Sequence, residues 1–113
     1  MAKRRCFSVD ILESIEYRKL SMDARVLYIE LIAQSDDEGV VINPSIALLI
    51  TGVKESALEE LRAENFLLKV EDVYVIRHWH RHNKIQSSKI VKSVYTSELE
   101  KLYVNNREEY AFL

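Results

Sequence analysis

The chain has two glycines and one proline among 113 residues, and all three fall close together, at Gly39, Pro44 and Gly52. Glycine supplies the left-handed backbone that turns and helix ends need, while proline can open a helix but not continue one. The breaks of the fold are therefore concentrated in one short stretch. Asn43 followed by Pro44 marks a helix start, because the asparagine side chain can cap and the missing proline N–H costs nothing in the first turn. Ile46, Leu49 and Ile50 are expected to face inward, and Gly52 to end that helix. A second apolar pattern resumes over residues 55–66 with Leu58, Leu61 and Phe66, and Val53 is placed to staple against Leu58. Two helices joined by a tight, glycine-bearing turn have the signature of a helix-turn-helix.

The flanking segments extend the pattern. Residues 8–19 open with Ser8 as a cap and space Ile11, Leu12 and Ile15 at helical intervals. Residues 21–35 set Ser21 before Ala24, Leu27, Tyr28, Leu31 and Ile32, a stripe of helical period that stops at "DDEG". Residues 40–42, "VVI", are too short for a helix and read as a brief strand. Residues 67–70 and 73–79 read as two strands joined at Glu71-Asp72, although that turn lacks the glycine a tight hairpin prefers. A helix-turn-helix followed by a hairpin is a winged helix. Ser93 or Ser97 caps a final helix over about residues 94–104, with Tyr95, Leu99, Leu102 and Tyr103 on one face. The expected fold class is α+β, mainly α: a winged helix-turn-helix with a short β-hairpin wing and a C-terminal helix. The domain would occupy residues 1–104, leaving 105–113 as a tail or the start of a linker, although Tyr110, Phe112 and Leu113 are unusual for a solvated tail.

The single cysteine, Cys6, cannot form an internal disulfide, and no apolar run suggests a signal peptide or membrane span. A protein of the cytosol, with no membrane partner, is expected. The net charge of −2 conceals a strong segregation. Lys3, Arg4 and Arg5 at the start, and Arg77, Arg81, Lys84, Lys89 and Lys92 within residues 77–92, stand in stretches free of acid, whereas residues 6–76 carry fourteen acidic side chains against six basic. This distribution is that of a basic patch on an acidic protein.

The second basic stretch begins "RHWHRHNKI" at residue 77. On a continued strand His78, His80 and His82 would share one face, a spacing that can ligate zinc. No carboxylate occurs between residues 73 and 97 to orient the imidazoles, and the arginines oppose a nearby cation. An edge that meets phosphates is the stronger reading, with no metal or cofactor, and on that reading DNA affinity should rise as pH falls through the imidazole range near 6.5. Trp79, at the end of an apolar strand, reads as core. The paired carboxylates Asp36/Asp37, Glu59/Glu60 and Glu108/Glu109 read as solvated faces, and no nucleophile elbow or glycine-rich phosphate loop signals an enzyme.

"MAKRRCFSVDI", "DDEGVVINP" and "VYVIRHWHRHNKIQ", in that order and spacing, resemble the N-terminal domain of phage replisome organizers, relatives of the DnaD-type replication initiation proteins. The resemblance covers about residues 1–100. It implies a winged-helix domain that binds origin DNA or self-associates, often followed by a second helical domain that helps recruit the helicase loader, in a bacterial host cytosol. One departure bears on mechanism: the second helix of the pair carries Glu55, Glu59, Glu60 and Glu64 against Lys54 and Arg62. Four carboxylates against phosphates would weaken duplex binding. DNA, duplex or single strand, is therefore expected at the wing and the segment after it, through Arg77, His80, Arg81, Lys84, Lys89 and Lys92, joined by Lys3, Arg4 and Arg5. The alternative is an oligomerisation or protein-interaction domain with little DNA affinity of its own.

Overall fold

The computed structural model describes residues 4–85 and 87–113. The first expected helix is two single turns, α1 (Val9–Leu12) and α2 (Ile15–Arg18). Ser14 restarts the chain by accepting the Tyr17 N–H on its hydroxyl, whereas Ser8 stands at the cap position of α1 without a side-chain hydrogen bond. The break turns Ile11 into the core and leaves Ile15 outside it.

The helix α3 (Met22–Gln34) follows the sequence pattern closely. Ser21 accepts the Ala24 N–H, and Ala24, Leu27, Tyr28, Leu31 and Ile32 are all fully buried. Burying each large side chain of this stripe contributes on the order of 1.5–3 kcal/mol, so α3 is the axle around which the rest packs. The strand β1 (Val40–Val41) leads into α4 (Pro44–Thr51) and α5 (Glu55–Ala63). Asn43 caps α4 through the Ser45 N–H, and Gly52 ends it with a left-handed φ of 73°.

The face of α4 differs from expectation. Ala47 is buried and Leu48 packs against the core, while Ile46, Leu49 and Ile50 are 47%, 84% and 61% exposed. A helix whose residues 46–50 are all apolar has no polar side to fix its rotation, so the small Ala47 decides it by allowing close approach to α3.

The strands β2 (Leu67–Val70) and β3 (Val73–Ile76) form a hairpin with Glu71 and Asp72 as its two-residue turn, Glu71 taking a φ of 55°. The sheet is antiparallel throughout, in the order β1-β3-β2, with Val40 opposite Val75 and Leu68 opposite Val75. The central strand is buried along its whole length. It ends at Ile76, three residues before the sequence suggested, and the chain turns into a single helical turn, α6 (Trp79–His82).

The C-terminal helix over 94–104 is not formed. One turn, α7 (Thr96–Leu99), is followed by β4 (Leu102–Val104) and β5 (Tyr110–Phe112), which pair antiparallel with Tyr103 opposite Ala111. Residues 105–113 are thus the loop and second strand of a packed hairpin rather than a tail. Leu102 and Tyr110 join the core, and the Tyr110 N–H bonds the Arg77 carbonyl at 2.9 Å. Among the described residues no helix is long and apolar enough to cross a membrane.

Candidate functional site

The site is built on the turn that replaces the end of the expected strand. Trp79 is 1% exposed and anchors it, its indole N–H donating to the Asp37 carbonyl at 3.0 Å. The ring lies against Gly39, where a Cβ would stand 2.6 Å from the indole. Because α6 is helical, His78 and His82 lie one turn apart on the buried side, and His80 lies on the other, against the Tyr110 ring. The alternation that a strand would have given the three histidines does not occur. Among the described residues no three His, Cys, Asp or Glu side chains are grouped to hold a metal ion.

Burial sets the charge of these imidazoles. Desolvation, with help from Arg77, His82 and Arg81, lowers the His78 pKa to about 3. Desolvation and Arg81 lower that of His82 to about 4, and desolvation lowers that of His80. His82 is a neutral structural bridge: its Nδ1 accepts the Ser8 N–H at 2.8 Å, so its proton sits on Nε2, which meets the Tyr28 hydroxyl at 2.8 Å. A phosphate-facing edge that charges near pH 6 is therefore excluded for His78 and His82, both of which stay neutral well below that pH.

The N-terminal basic residues come to the same turn. Arg5 lies over the Trp79 ring at 5.2 Å, donates to the Ser35 carbonyl at 2.7 Å and pairs with Asp37 at 3.2 Å. The pair is buried, the side chains being 9% and 0% exposed. Next to it the Cys6 N–H donates to the Asn83 side chain at 2.7 Å. "RRCFS" and "WHRHN", far apart in sequence, thus form one strap. The acidic turn before β1 is its other half: Asp36 accepts the Glu38 and Val40 N–H groups, Asp37 accepts that of Val91, and Glu38 accepts that of Ser93.

Opposite His78, the guanidinium groups of Arg77 and Arg81 converge on one carboxylate. Arg77 Nη1 lies 2.9 Å from Glu109 Oε1 and Arg81 Nη1 3.1 Å from Glu109 Oε2. His78 Nε2 is 3.4 Å from Glu109 Oε2 and 3.1 Å from Arg77 Nη2; since the ring is neutral, the Glu109 contact is not an ion pair. Lys84 pairs with Glu108 at 2.9 Å on the exposed surface. The loop that carries both carboxylates is locked by Asn105, whose side chain accepts the Arg107 and Glu109 N–H groups, with Glu108 at a left-handed φ of 61°. A cavity of about 340 Å³ opens beside this cluster, its charged lining made of Arg77, Arg81 and Arg107 with Asp10, Glu16, Glu64 and Glu109.

Of the side chains expected to meet DNA, the fold brings Arg77, His80, Arg81 and Lys84 together around the β4–β5 hairpin, and turns Arg5 inward. Arg4, Lys89 and Lys92 are exposed, and Lys3 lies outside the described residues. The segment also leaves the hairpin at the end opposite its turn: the tip is the acidic pair Glu71-Asp72, and Lys101 bonds Glu71 there. The basic wing of the sequence reading is thus basic only at its base. The functional residues that sequence reasoning missed are carboxylates. Asp37 and Glu109, read as solvated, are 2% and 7% exposed, and Glu60 bonds both the N–H and the hydroxyl of Ser21. The acid-free window was the available signal, since partly buried arginines require counter-ions from elsewhere in the chain. In comparisons with known proteins, the sequence matches no family model, no curated protein and no solved structure.

Proposed function

We propose that this chain is a non-catalytic winged-helix module of a phage-type replication-initiation protein, a scaffold that self-associates through α4 and has modest intrinsic affinity for DNA. The order helix, strand, two helices, hairpin, with β1 beside β3, supports the winged-helix reading. The surface of α4 carries the scaffold reading. Residues 40–53 contain no charged side chain, and Ile46, Leu49 and Ile50 are exposed. A duplex reader presents polar and basic groups from this helix pair; an exposed apolar face suits a protein partner. A second copy is the simplest partner, since an uncharged patch is self-complementary about a two-fold axis.

Sedimentation velocity tests this reading. The wild type is expected to dimerise with rising concentration, and Leu49→Glu with Ile50→Glu to stay monomeric with an unchanged circular dichroism spectrum. A wild type that remains monomeric at high micromolar concentration overturns it. DNA contact is the second reading, favoured by the exposed Lys89 and Lys92 in a window without acid. In a host cytosol the two activities together would let the module hold origin DNA while presenting an assembled surface to helicase-loading proteins.

A further inference from the structure

We propose that Arg77 and Arg81, with Lys84 beside them, form a binding face for the phosphodiester backbone of nucleic acid that Glu109 and Glu108 occupy as internal counter-ions. The inference rests on the DNA half of the reading above and is independent of the scaffold half.

Three observations carry it. The two guanidinium groups, four residues apart in sequence, share a single carboxylate, one oxygen each, through charge-assisted contacts of the kind arginine also makes to phosphate. They are not sealed in: their side chains are 29% and 33% exposed, and they line an open cavity with Arg107. The covering carboxylates come from one five-residue turn whose geometry Asn105 fixes, with Glu108 in it at a left-handed φ. Phosphate and Glu109 therefore compete for the same donors. In the closed form Glu109 offsets one of the two guanidinium charges and engages a donor of each, which weakens the face's salt-sensitive attraction; with Glu109 displaced, both guanidinium groups become available at once. A run of cations continuing to Lys89 and Lys92 suits a backbone rather than an isolated phosphate group.

The test is the binding of a labelled duplex across a salt series by wild type, E109Q and E108Q. Glutamine keeps the size and an acceptor oxygen at position 109 but removes the charge. E109Q should bind more tightly, with log Kd steeper against log salt by roughly 1.8, about 0.9 for each arginine released, and E108Q by roughly 0.9. Adding Arg77→Ala and Arg81→Ala to E109Q should abolish the gain. Circular dichroism checks that E109Q folds; E108Q, at an exposed pair, keeps the test open if it does not. Folded variants with unchanged affinity and slope overturn the proposal, as does a gain that survives loss of both arginines. Wild-type binding that depends on Lys89 and Lys92 but is indifferent to both glutamine variants would retain the DNA reading and discard this one. Inorganic phosphate at constant ionic strength separates the phosphate sources: competition at low millimolar concentration would mean a site for a single phosphate group and would overturn the backbone assignment.

Discussion

Gly39 and His82 show how individual residues are constrained from two directions. Gly39 combines a left-handed φ of 88° with an indole in the space a Cβ would fill. Gly39→Ala therefore meets both backbone strain and overpacking, and should cost about 2–4 kcal/mol, measurable as a lowered urea midpoint. The buried histidines constrain the working pH. In the unfolded chain their imidazoles take up protons near 6.5, but in the fold only near 4 for His82 and 3 for His78. Their contribution is complete above pH 6.5 and is lost as pH falls toward those lower values. Stability should drop by on the order of 2 kcal/mol for each histidine by pH 5, and His82→Gln should flatten the profile. For Arg5 and Asp37 the pair is largely enclosed, so Asp37→Ala strands a buried guanidinium and should cost about 3–5 kcal/mol in chemical denaturation.

At the scale of elements, legibility followed punctuation. The helices α3, α4 and α5 and the strands β2 and β3 begin where Ser21, Asn43-Pro44, Gly52 and the apolar runs place them. Two kinds of element escaped. The turn α6 follows an apolar strand with no glycine or proline between them to stop it, and it forms because burying Trp79 against Gly39 outweighs local preference. Ser93 or Ser97 suggested the start of a long helix, yet Tyr95 takes the cap position and the chain leaves after one turn to place Leu102 and Tyr110 in the core. The rotation of α4 was illegible for the opposite reason, its residues 46–50 being apolar all round. In the candidate site, the basic residues were readable and their partners were not, because Glu109 lies 28 and 32 residues from the arginines it serves. Tyr110→Phe tests how firmly the hairpin is held: losing the hydroxyl bond to the Glu38 carbonyl, 2.7 Å long, should cost about 1 kcal/mol of thermal stability.

Across the whole molecule, the α6 turn is where distant parts of the chain meet. Residues 5–8 strap it from one side through Trp79, His82 and Asn83, and Glu109 and Tyr110 close it from another. The Cys6 to Asn83 contact spans 77 residues, and the Arg77 to Glu109 contact 32 more toward the C-terminus. On a translating ribosome, which adds about 5–20 residues per second, α3, α4 and α5 can collapse early. The arginines at 77 and 81 must wait for position 109 to clear the exit tunnel before they acquire a neutralising partner. During that interval the nascent chain carries its cations uncovered, and an RNA-rich surface is the nearest source of counter-charge.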